Sequence, residues 1–145
     1  MKSQELLPRT EKSPLLRTDF EDDVVWLTVC DLIRRPVNVH GQDFFAHVEF
    51  IESPTFRNRT EKELLAVVPP QYGHTFLFIV DKIATKGPEF PILVMDLWDE
   101  PGRTFRAIPS EIQGVENNLS IANMDFRDFA ENVDNDGIFR GFKQP

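Results

Sequence analysis

The spacing of apolar residues changes several times along the chain, and each change predicts a different element. In DFEDDVVWLTVCDLIRRPV the acids Asp19, Glu21, Asp22 and Asp23 precede apolar residues at helical spacing, Arg34 and Arg35 close the run and Pro36 stops it. Negative charge at the start and positive charge at the end suit the helix dipole, so a helix near 20–35 is predicted. FFAHVEFIE (44–52) sets Phe45, His47, Glu49 and Ile51 against Ala46, Val48 and Phe50. That period of two predicts a half-buried strand with His47 turned towards solvent or a covering loop. Thr60-Glu-Lys-Glu63 has capping-box spacing ahead of Leu64, Leu65, Val67 and Val68, predicting a helix near 60–68 that ends at Pro69-Pro70.

HTFLFIVDKIAT and FPILVMDLW are near-continuous apolar runs, which predicts strands covered on both faces. The links KGPEF and DEPG are too short for a crossover helix, so RTFRAI (103–108) is read as the third strand of an antiparallel meander. This register would set Asp81 near Val94 and Asp96 near Ile79. LLRTDF (15–20) adds a short strand, and the polar, proline-bearing residues 1–13 read as a flexible tail.

PSEIQGVENNLSIANMDF (109–126) divides into two predicted helices, near 110–119 and 124–133. Ser110-Glu-Ile-Gln113 has capping-box spacing, and Asn123 stands before Phe126, Phe129, Ala130 and Val133 at helical intervals. Glu111, Gln113, Glu116, Asn117 and Asn118 receive no role from this pattern. The resulting expectation is an α+β fold in one domain over 14–145, built on a mostly antiparallel central sheet of about five strands.

Composition narrows the function. The net charge is −8 and the pI about 4.8, so the field repels phosphate backbones, and neither nucleic acid nor an anionic membrane is expected as a partner. Thirteen Phe and two Trp in a chain with 41% hydrophobic residues describe a globular core that takes up most of the aromatic rings. The single Cys30 falls among Trp26, Val29 and Ile33 in the helical pattern and reads as a buried, inert thiol. No apolar run is long enough for a signal peptide or a membrane span, which favours the cytoplasm.

Candidate chemistry is sparse. Asp81 and Asp96 lie in or at the ends of the most apolar strands, where a carboxylate needs a partner or a solvent-accessible mouth. Together with Arg106 and Glu111 they are the candidates for a catalytic or ligand-binding pocket. Arg17, Asp19 and Arg106 would cluster if the first strand lay beside RTFRAI. His40, His47 and His74 have no metal-ligand spacing, and no phosphate loop or nucleophile elbow occurs, so no cofactor is implied. Asn132, Asp134 and Asp136 with Gly137 match the start of a calcium loop, but Lys143 stands where the bidentate glutamate belongs.

RTDFEDDVVW, the helix ending RRP, RTFRAIPSE and VENNLSIANMDF together resemble a family of small acidic proteins from actinobacteria and filamentous fungi catalogued as a domain of unknown function. The resemblance spans about residues 15–142 and implies no catalytic residue. The absence of a catalytic signature, the small size and the acidity favour a non-catalytic protein-binding module, immunity-like or adaptor, with a protein partner whose basic side chains would suit the acidic surface. The alternative is a small enzyme or small-molecule-binding domain using carboxylates and an arginine in a pocket.

Overall fold

The computed structural model describes residues 5–143, so residues 1–4 of the expected tail lie outside the described residues. Within residues 5–12, Leu7 is buried and its N–H donates to the Val67 carbonyl, while Arg9 donates to the carbonyls of Pro70 and Gln71.

Strand β1 (Ser13–Arg17) leads to helix α1 (Asp23–Arg34), which Asp22 caps by accepting from the N–H groups of Val24 and Val25. A hairpin of β2 (Val37–Val39) and β3 (Gln42–Phe44) precedes β4 (Val48–Ile51). The strand expected over 44–52 is therefore interrupted, with Phe45 half exposed between two separate strands. Helix α2 (Glu61–Ala66) carries the predicted capping box: the Thr60 hydroxyl accepts from the Glu63 N–H, and the Glu63 carboxylate accepts from the Thr60 N–H.

Next come β5 (Phe76–Val80), β6 (Ile92–Asp96) and β7 (Thr104–Ala107), then a short 3-10 turn at Pro109–Glu111 and helix α3 (Ile112–Ser120). Helix α4 (Phe126–Ala130) and strand β8 (Ile138–Phe139) complete the domain. Neither Ser110 nor Asn123 caps a helix. The 3-10 turn absorbs Ser110, and α4 starts after Asp125, whose N–H donates to the Asp128 carboxylate.

The six strands lie in the order β4-β1-β5-β6-β7-β8 in one mixed sheet, which corrects the expectation of a mostly antiparallel one. The meander β5-β6-β7 is antiparallel as predicted, but β1 runs parallel to both β4 and β5, and β7 parallel to β8. The reason lies in the connections. The chain passes through α1 before β4 and through α2 before β5, and a crossover of that length returns it in its original direction. The β5–β6 register sets Phe76 opposite Asp96 and Phe78 opposite Val94, displaced by three residues from the expected pairing.

Both faces of the sheet are covered. Phe76, Phe78 and Val80 pack with Trp26 and Val29 of α1, Val115 of α3 and Phe129 of α4. Leu77 and Ile79 point the other way, towards Phe56, Leu64 and Val67. That two-sided burial is why β5 reads as an uninterrupted apolar run, each such side chain contributing about 1.5–3 kcal/mol of transfer free energy.

Candidate functional site

The four candidate pocket residues occupy three places. Asp81 follows β5, where Arg106 of β7 grips it with two parallel hydrogen bonds of 2.9 and 2.7 Å. Asp81 also accepts from the Ala84 N–H, so its oxygens are committed to a fork and a turn. Asp96 ends β6, five positions along β5 from Asp81 by the Phe76 pairing, roughly 16 Å at ~3.3 Å per residue. Its buried carboxylate accepts from the N–H groups of Trp98, Asp99 and Glu100 and shapes the turn into β7. Glu111 stands beyond β7 in the 3-10 turn, where burial alone pushes its carboxyl above the usual range.

Arg17 and Asp19 do meet, but away from Arg106, because β5 and β6 separate β1 from β7. Arg17 is buried, donates to the Asp19 carbonyl and to Asp23, and lies 4.4 Å from the Phe20 ring centre. This brace fixes the turn from β1 into α1. Cys30 is buried, and desolvation pushes its thiol up to about 11.

The calcium-like loop is held by a guanidinium. Arg140 donates to Asp134, to Asp136 and, through two nitrogens, to Glu89. Those bonds hold all three carboxyls below their usual range, and Asn132 donates to the Asp128 carbonyl. Among the described residues, no group of three or more His, Cys, Asp or Glu side chains could hold a metal. No helix there is long and apolar enough to cross a membrane.

The most exposed aromatic side chain of the core-forming hairpin lies elsewhere. Trp98 is 74% exposed on the turn that Asp96 organises. It lines a cavity of about 150 Å³ together with Asp99, Ala122 and Asp125. Ala122, Thr75 and Leu119 also line a neighbouring cavity of about 470 Å³ that runs back to Glu11, His47 and His74. Ile121, 73% exposed, sits beside Ala122 on the α3–α4 turn.

The amide-rich segment builds this region. The Asn118 carbonyl accepts from the N–H groups of Asn123 and Met124, and its side chain accepts from Asn123 and donates to the Gly114 carbonyl. Those bonds hold Ala122 in the left-handed region at φ 55°. Glu116 is buried and accepts four hydrogen bonds, from the hydroxyls of Ser13 and Ser120, the Asn117 amide and the His47 backbone N–H. It thereby pins α3 to the starts of β1 and β4. Periodicity finds neither Glu116 nor Trp98, although a tryptophan between acids in a Pro-Gly turn, as in DLWDEPG, is itself a sign of display.

No curated protein matches the chain. Residues 12–142, nearly the whole domain just described, match the family described as Domain of unknown function (DUF6924), and the chain belongs to that family.

Proposed function

We propose that this domain is a non-catalytic protein-binding module, immunity-like or adaptor in kind, whose binding face is centred on Trp98. The observation that carries the reading is the 74% exposure of Trp98 at the mouth of a cavity flanked by Asp99 and Asp125. Tryptophan is the side chain that most often anchors a protein interface, because it buries a large area at small entropic cost. Ile121, next in sequence to the cavity residue Ala122, adds exposed apolar surface, and the acids around the cavity favour a partner with basic side chains at the rim.

Rigidity supports the same reading. The Asp96 carboxylate fixes the Trp98 turn, and Asn118 fixes the turn that carries Ile121 and Ala122. A preorganised face loses little freedom on binding. The catalytic alternative has less behind it, since Asp81 and Arg106 consume each other's hydrogen bonds and Asp96 serves its turn. The unpaired Cys30 accords with a cytoplasmic setting.

Site-specific photo-crosslinking in cells of the native source tests the reading. A crosslinker in place of Glu100 is expected to capture a discrete protein, and the adduct should vanish with Trp98→Ala, whereas a crosslinker in place of Lys62 on α2 should capture nothing discrete. Equal capture at both positions, or an adduct at 100 indifferent to Trp98→Ala, would contradict it.

A further inference from the structure

At the other end of the β6–β7 hairpin from Trp98 lies a cavity of about 370 Å³, bounded by the last turn of α1, the β5–β6 loop and the 3-10 turn after β7. We infer that this cavity binds a small organic acid, an apolar body carrying one carboxylate, with Arg35 as its anion anchor. The inference is independent of the protein-binding face, because it uses different residues at the opposite end of the hairpin.

The walls are apolar. Leu32, Val37, Phe90 and Ile108 supply them, and Pro88 and Pro109 restrict the two loops that close the sides. The volume falls at the small end of the roughly 300–1,000 Å³ typical of ligand pockets, which limits the occupant to a compact body. Phe90 is held at φ 50°, a left-handed conformation that costs an aromatic residue strain and that is over-represented at ligand clamps.

Polar groups on the rim define the head group. Arg35 makes no side-chain hydrogen bond or ion pair among the described residues, and the Ser110 hydroxyl also has no partner there. The one acid of the lining, Glu89, is already gripped by Arg140 at 2.7 and 2.8 Å. A guanidinium presents two parallel N–H donors that match a carboxylate. One free cation beside a carboxylate rim suits a monoanion and disfavours a phosphate dianion or a cation.

The test is a methyl- and amide-resolved NMR titration with 3-phenylpropionate and hexanoate, with 3-phenylpropanol and 3-phenylpropylamine as matched controls. The acids are expected to give saturable shifts at Leu32, Val37, Phe90 and Ile108, to bind more tightly than the alcohol, and to lose about tenfold in affinity with Arg35→Gln. Arg35 is exposed, so that variant is expected to fold as the parent does, which its unliganded spectrum would verify. Ile108→Phe, which fills the cavity, should weaken acid and alcohol alike. Absence of saturable shifts at these residues, equal binding of the amine, or an affinity unchanged by Arg35→Gln would overturn the inference.

Discussion

Arg106 reaches past the start of β6 to hold Asp81, with Nη1 2.9 Å from Oδ1 and Nη2 2.7 Å from Oδ2. The same Nη1 donates to the Pro91 carbonyl, so one guanidinium ties β7 to both ends of the β5–β6 loop. This is a structural fork, and it carries a prediction about stability. The side chains are 15% and 24% exposed. Arg106→Ala should cost about 2–3 kcal/mol, the loss for a fully buried pair reduced by solvent screening, and Arg106→Lys about 1 kcal/mol because the charge survives and the fork does not. Urea unfolding monitored by circular dichroism measures both; equal effects of Lys and Ala would remove the fork from the account.

Glu116 gives a second prediction. Its carboxylate accepts from two backbone-independent hydroxyls, one amide and one backbone N–H. Glu116→Leu leaves the buried His47 N–H, the Asn117 amide and one of the two hydroxyls without an acceptor, since Ser13 and Ser120 lie 3.2 Å apart and can pair with each other, and should cost about 3 kcal/mol. Glu116→Gln should cost only about 1 kcal/mol, because the Ser13 and Ser120 hydroxyls can turn and accept from the new amide. Denaturant midpoints for the two variants check the order.

Glu111 predicts a pH dependence. Burial raises its carboxyl above the ordinary 4.5, so the folded state holds this proton more tightly than the unfolded chain does. Its contribution to stability is fully present below the unfolded value and is lost as pH rises through the folded one. Glu111→Gln should therefore match the parent in acid and become the more thermostable of the two as pH rises through the upper carboxylate range. Melting temperatures between pH 4 and pH 8 test this; a constant difference across the range would contradict it.

Cys30 is expected to be inert in the folded protein, since burial raises its thiol to about 11 and the thiolate is the reactive form. Alkylation at pH 8 should proceed only at the rate of unfolding and accelerate in urea. Rapid labelling of the native protein would show a more open helix α1 than its burial implies.

Local chemistry was legible where short-range forces decide the outcome. The acid-led helix ending at Arg34, the Thr60–Glu63 box and the antiparallel meander all follow from neighbours in sequence. Strand direction beyond the meander was not, because the parallel pairing of β1 with β4 and β5 depends on which way two crossovers wrap. Strand β8 has two residues and pairs with a strand about thirty positions earlier, so it leaves no periodic trace. In the candidate sites, Asp81 and Asp96 are legible as acids in apolar runs, and both, the first partly and the second fully buried, are spent on hydrogen bonds. Composition assigns aromatic rings to the core, so the outward-facing Trp98 is signalled in sequence only by its setting between acids in DLWDEPG, and the turn built on Asp96 accounts for its exposure.

Trp98 is proposed as a contact residue for a protein partner. Fluorine NMR of protein labelled with 5-fluorotryptophan gives two signals, from the exposed Trp98 and the buried Trp26. In extract of the native source, the Trp98 signal alone should shift or broaden, and excess unlabelled wild-type protein should restore it while unlabelled Trp98→Ala protein should not. A Trp98 signal identical in extract and in buffer, or equal broadening of both signals, would contradict the claim.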